Sequence, residues 1–250
     1  MAEWNWEPDD FAALWLGDAR DRLPRPLSYT SRFAGANEAR AHRIAVRARY
    51  QGEEAEQIRL AFHTLDTCRL RIQVLGESTT LGNGQPREYR VLSARNDDHA
   101  VMLTQTAADG IHGRIRCRLF RTEQMAPRLA HILPTCPPGT APKETFHLDE
   151  LRQQTQAGYG RSARERYERR IRGTRVGGVA GLLTGPLHTT TEPWFTAQWL
   201  DVAGDGRYLQ QVTREHLSIR PADTGALTSL FNAWIDRAWK QLQDNAYQIG

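Results

Sequence analysis

Residues 194–220 read WFTAQWLDVAGDGRYLQQVTREHLSIR, and the reading of this stretch decides the fold. Trp194 to Leu200 is strand-like, Gly204-Asp205-Gly206 has turn chemistry, Arg207 to Val212 is the returning strand, and His216 to Arg220 is a third. Asp-Gly between two such runs is a hairpin signal, because glycine supplies the positive φ that a tight turn of the right twist needs. A helix follows, expected to start at Pro221 with Asp223 in its first turn. Leu227, Leu230, Phe231, Trp234, Ile235, Ala238 and Leu242 recur on one of its faces at helical spacing. The pattern predicts an antiparallel meander backed by an amphipathic helix.

Working outward, Glu88 to Arg95, Ala100 to Thr106 and Arg114 to Phe120 form a second meander, closed by a helix from Thr122 to Leu133 and stopped by Pro134. The order of three strands then a helix thus occurs twice. This predicts an internal duplication with approximate twofold symmetry: one domain over 1–250, with halves at about 1–134 and 147–250. The connection 134–146, with Pro134, Pro137, Pro138, Gly139 and Pro142, reads as a linker or tight crossover. The fold class is α/β in the α+β sense, a central, mostly antiparallel sheet flanked by helices.

Upstream, Pro8-Asp9-Asp10 opens a short helix with Phe11, Leu14 and Trp15 on one face and Trp6 placed to staple it. His42 to Tyr50 alternates Ile44, Val46, Ala48 and Tyr50 against Arg43, Arg47 and Arg49, the period of a strand. Glu53 to Leu65 has a helical face, and Arg69 to Leu75 alternates again. Between this last strand and the meander lies a long polar loop of Gly76, Glu77, Ser78, Thr79, Thr80, Leu81, Gly82, Asn83, Gly84, Gln85 and Pro86. It exceeds the usual hairpin loop of about 2–5 residues, so it is either floppy or functional. Later, Leu148 to Gln156 and Arg161 to Arg172 are helical, with Gly158-Tyr159-Gly160 between them, and Thr174 to Leu183 is a strand that its Gly177-Gly178 pair can bend.

Composition narrows the chemistry. The chain has 250 residues and a net charge of +4, and all but Lys143 and Lys240 of its 33 basic residues are arginine. With 29 acidic residues as counterweight, a mixed-sign surface is expected. Arg161, Arg164, Arg166, Arg169, Arg170, Arg172 and Arg175 form a run that could bind phosphates, yet Glu165 and Glu168 interrupt it, Glu165 can pair with Arg169, and a solvated helix face is the plainer reading. Gly173 to Gly181 lacks the lysine of a Walker sequence and the order of a dinucleotide fingerprint, so it reads as strand. Asp201 and Asp205 lack the ligand series of a calcium loop. Cys68, Cys117 and Cys136 share no metal spacing and read as buried reduced thiols. The histidines carry no HxxxH spacing and no GxSxG elbow is present, so neither catalysis nor a cofactor is expected. Trp194, Trp199, Trp234 and Trp239 read as packing residues. No leader or membrane span is readable, and a cytoplasmic location is expected.

These segments together resemble the EspG family of ESX (type VII) secretion-associated proteins of actinobacteria. The resemblance rests on Pro8-Asp9-Asp10-Phe11-Ala12-Ala13-Leu14-Trp15 with Pro26-Leu27, and on Asp201-Val202-Ala203-Gly204-Asp205-Gly206-Arg207-Tyr208-Leu209 followed by Ser218-Ile219-Arg220-Pro221-Ala222-Asp223. It implies a cytosolic chaperone that holds the aggregation-prone tip of the PPE subunit in a PE–PPE heterodimer and keeps the pair soluble until secretion. It also implies a quasi-twofold sheet fold whose partner side combines the Gly76 to Pro86 loop, a sheet face and the C-terminal helical region. Partners expected from it are the PE–PPE pair, with room for weak self-association, no membrane insertion and no nucleic acid. The competing class is an arginine-rich module for nucleic acid or an acidic partner.

Overall fold

The structure, a computed structural model, describes residues 2–17, 20–152, 162–189 and 192–249. Ten strands form one antiparallel sheet: β1 (Ala2–Trp6), β2 (Leu70–Ser78), β3 (Arg87–Arg95), β4 (His99–Ala108), β5 (Ile111–Arg121), β6 (Glu144–His147), β7 (Thr174–Thr184), β8 (Phe195–Val202), β9 (Gly206–Val212) and β10 (His216–Pro221). Their spatial order is β1-β5-β4-β3-β2-β7-β8-β9-β10-β6. The order is the same read from either edge. In each half an edge strand comes first in the chain, helices follow, and a four-stranded meander runs outward from the centre until its last strand pairs with that edge strand. The quasi-twofold axis therefore passes between β2 and β7, which pair from Leu70↔Thr184 to Glu77↔Gly177. The repeat is a meander of four strands rather than three, and each half has an extra edge strand.

Seven helices complete the described chain: α1 (Pro8–Trp15), α2 (Ala36–Ala48), α3 (Gly52–Asp66), α4 (Met125–Ile132), α5 (Leu148–Arg152), α6 (Ala163–Ile171) and α7 (Thr224–Ile249). The pleat assigns their sides. Leu70, Ile72 and Val74 of β2, Ala180 and Leu182 of β7, and Trp199 and Leu209 pack with Leu129 of α4 and Leu227, Phe231 and Trp234 of α7. Alternate residues point to the opposite face. There α1 and α3 cover the first half through Trp6, Phe11, Phe62, Leu92 and Leu103, while α5 and α6 cover the second through Phe146, Leu200, Tyr208 and Ile219. Among the described residues, one face has helices across its middle and the other has helices only at its flanks.

The sequence expectations meet this structure unevenly. His42 to Tyr50 is not a strand but lies mainly in α2, and of its alternating apolar residues Ile44 is exposed while only Val46 is buried. Polar contacts to α1 decide the outcome: Arg47 donates to the carbonyls of Ala13 and Leu16 at 2.9 Å each, satisfying groups that a helix C-terminus leaves open, and Arg49 pairs with Asp10 at 3.1 Å. Pro221 ends β10 opposite Tyr208 instead of starting α7. Asp223 is the cap, its Oδ1 accepting from the Ala226 amide at 2.7 Å. Trp6 lies in β1 and does staple α1, with its ring 5.8 Å from Phe11. Ser162 caps α6 in a capping box with Glu165, so Glu165 caps its own helix end. Arg161, Gly158-Tyr159-Gly160 and the end of the helix expected to Gln156 lie outside the described residues. Cys68 and Cys117 are buried and Cys136 half-buried, all free, and burial pushes the Cys68 thiol up to about 11.

Candidate functional site

The flank-only arrangement of helices leaves a valley along the centre of one sheet face. Register places Leu75 of β2 beside Val179 of β7, with Arg90 and Gln198 on either side, then Gln105 and Gln210. This row crosses six strands, with an apolar pair at the quasi-twofold axis and a glutamine at each end. The outer amides hold the walls. Gln105 accepts from the Ser28 amide at 3.0 Å and donates to the Ser28 carbonyl at 2.8 Å, fixing residues 23–28 beside the valley. Gln210 accepts from the Tyr167 hydroxyl at 3.0 Å, fixing α6 on the other side. The central pair stays open, Leu75 44% and Val179 47% exposed.

Two cavities extend the valley along β2. One, of about 380 Å³, lies between Pro26, Ser28, Leu75, Glu77 and Arg90. The other, of about 470 Å³, lies between Trp15, Arg22, Pro24, Gln73, Leu183 and His188. Arg71 closes the latter's far end. It is buried, meets the carbonyls of Pro186 at 3.1 Å and Thr189 at 2.9 Å, and so fastens the β7–β8 connection to the sheet. Burial lowers its pKa, and the four backbone carbonyls around it supply the dipoles that hold the charge.

The segment from Gly76 to Pro86 is shorter as a loop than its sequence suggests. Gly76, Glu77 and Ser78 are strand residues paired with Tyr89, Glu88 and Arg87. Thr80, Leu81 and Gly82 form a single 3₁₀ turn, and Asn83 and Gly84 take positive φ of 51° and 95° to turn the chain back. Ser78 Oγ accepts from the Thr80 amide at 3.2 Å, and the Gly84 amide donates to the Thr79 carbonyl at 2.9 Å. The tip is thus an ordered, hydrogen-bonded hairpin end with Leu81 38% exposed and Gln85 and Pro86 completing the return. Gly76 serves the opposite face: a Cβ there would lie 2.4 Å from the Tyr89 hydroxyl, and one at its partner Gly178 would lie 2.6 Å from Trp199. Trp199 donates to Tyr89 at 3.0 Å through the space these glycines leave.

The Asp201 to Tyr208 motif is built for packing. Asp201 and Arg207 form a two-pronged pair at 2.7 and 2.8 Å, nearly sealed from solvent. The Asp205 carboxylate accepts from the Thr140 amide and from the Tyr208 hydroxyl, which in turn accepts from the Ala141 amide at 2.9 Å. Gly139 lies against the Tyr208 ring, where any side chain would collide at 2.1 Å. Together these residues clasp the proline-rich connection onto β9. Among the described residues no group of three or more histidine, cysteine or acidic side chains could hold a metal, and no helix is long and apolar enough to cross a membrane. Trp199 and Trp234 are core, and Trp239 is half-buried beneath the Arg95 guanidinium at 3.9 Å.

Sequence reasoning misses Leu75 and Val179, although a signal exists. Each is an apolar residue out of phase with the alternation that buries Leu70, Ile72 and Val74 or Ala180 and Leu182. A model of the EspG family matches residues 7–230, which spans nearly every element described above. A search among curated proteins found no match. The chain belongs to the EspG family, which is a family of ESX secretion-associated chaperones not known as enzymes.

Proposed function

We propose that this chain is a cytoplasmic chaperone for a PE–PPE heterodimer, holding the apolar tip of the PPE subunit in the sheet valley and against the hairpin tip at 79–86. In this reading residues 1–250 act as one unit of two halves, so that both sets of flanking helices wall a single valley. The observation that carries it is the exposed Leu75–Val179 pair at the centre of the open sheet face. An apolar tip seated there removes area worth about 25 cal/mol per Å² before the costs of association. Arg90, Gln198 and the polar hairpin residues supply the hydrogen-bonding rim that an apolar centre needs for specificity. No nucleotide is required for such holding.

The test is co-expression with the PE–PPE pair encoded nearest to it, followed by size-exclusion chromatography with light scattering. A soluble 1:1:1 complex is expected, weakened by Leu75→Asp or Leu81→Asp while the isolated chaperone stays folded. A complex of undiminished stability with both variants would move the site away from the valley, and an insoluble PPE protein with every pair tried would remove the chaperone assignment to PE–PPE proteins. Deleting all of Gly76 to Pro86 is a poor test, because it would also remove three ladder pairs of β2 with β3 and two with β7.

A further inference from the structure

We infer that the end of α6 and the start of β7 form a separate electrostatic docking site for an acidic peptide segment of another protein. The site is a cavity of about 450 Å³ between α6, the connection near Ala141 and the β8–β9 turn, with Arg166, Arg169, Arg170 and Arg172 on its wall. Its acids are already engaged. Glu144 accepts from Arg166 at 2.8 Å and from Arg170 at 3.4 Å, and Asp205 is held by Thr140 and Tyr208. Arg164 is likewise taken by Glu168 at 2.7 Å. Arg169, Arg172 and, just beyond, Arg175 are exposed and meet no carboxylate among the described residues.

Each of these guanidiniums presents a planar fork of donors matched to a carboxylate. Nucleic acid is the poorer fit. The helix of nine residues spans about 14 Å, interleaves Glu165 and Glu168, and offers no free aromatic face: Tyr167 is tied to Gln210, and Tyr208 is buried beneath Arg170. Isolated carboxylates on a peptide can reach two or three arginines without meeting those glutamates along a continuous phosphate strip. The site shares no residue with the Leu75–Val179 valley, so it stands or falls independently of the PE–PPE assignment.

Fluorescence anisotropy with the whole chain tests it, using a short labelled peptide of alternating glutamate and glycine, its glutamine counterpart, and a single-stranded oligothymidine of equal charge. Binding of the glutamate peptide alone is expected, weakening about tenfold between about 50 and about 300 mM NaCl. Arg169→Glu with Arg172→Glu should abolish it, and Arg169→Gln with Arg172→Gln, which adds no acid to the surface, should weaken it about tenfold. Arg40→Glu with Arg43→Glu, on the exposed side of α2, changes net charge equally and should leave most of the binding. Equal loss in that control pair, no binding of the glutamate peptide at low salt, or tighter binding of the oligothymidine through the same arginines would each overturn the proposal.

Discussion

The two faces of the central strands β2 and β7 share a backbone and differ in every other respect. On one, Ile72, Val74, Ala180 and Leu182 are sealed beneath α4 and α7; on the other, their immediate neighbours Leu75 and Val179 lie open between two helical walls. A single residue step along a strand thus separates a core from a surface. The difference teaches that the apolar content of a strand does not by itself report stability. What matters is whether a second layer of the same chain covers it, and among the described residues only one face of this sheet has that layer over its centre.

The sharpest way to break the comparison is on the covered face. Trp199→Ala removes a fully buried ring and leaves the Tyr89 hydroxyl with one partner fewer, so urea unfolding should show a loss of about 3–5 kcal/mol. Asp201→Ala should cost nearly as much, about 3–5 kcal/mol, because Arg207 would remain buried without its counter-charge. A smaller effect, about 1–3 kcal/mol, is expected for Gly178→Ala, whose new methyl would press on Trp199 and Tyr89. On the open face, Leu75→Ser and Val179→Ser should change stability by no more than about 0.5 kcal/mol. Losses there approaching those at Trp199 would mean that both faces are core, and the distinction would collapse.

The smallest expected effect concerns acid. The Asp205 carboxyl is held below the ordinary aspartate range by the Tyr208 hydroxyl first and the Thr140 amide second. A depressed folded pKa contributes stability that is present above the unfolded value of about 4 and is lost as pH falls through the folded value. The protection of the Thr140 and Ala141 amides against exchange, taken relative to the intrinsic rate at each pH, should therefore fall below about pH 4 in the parent protein, and Asp205→Asn should show the lower protection already at neutral pH. Exchange as slow in the Asp205→Asn variant as in the parent would show that the connection is held by the Tyr208 ring alone.

How much of this is legible before the structure differs by region for physical reasons. The C-terminal meander and α7 are readable because an Asp-Gly turn, strand alternation and a long helical stripe all agree; the helix starts after the Asp223 cap rather than at Pro221, and β7 adds a fourth strand to the meander. Residues 42–50 mislead because their alternation is accidental: arginines and Ala48 also suit a helix, and Arg47 gains partners only once α1 is beside it. Strands β1 and β6 are short edges of five and four residues, whose pairing to β5 and β10 is set by the distant partner rather than by their own pattern. The hairpin at 79–86 is visible as a polar interruption, but its ordered tip depends on Ser78 and on the positive φ of Asn83. The valley is hidden altogether, since a sequence names apolar residues without saying what will lie on top of them.

The join between β2 and β7 also has a consequence in time. Strand β2 pairs with β3 as soon as the first half is made, but its other edge waits for β7, whose first residue leaves the ribosome on the order of 5–20 s after Ser78 at roughly 5–20 residues per second. Throughout that interval the nascent first half presents a bare strand edge flanked by Leu75, a template for pairing with any neighbouring chain. A chaperone of this design is therefore most in need of protection itself during its own synthesis, and slowing translation between codons 78 and 174 should raise its aggregated fraction more than slowing it anywhere after 184.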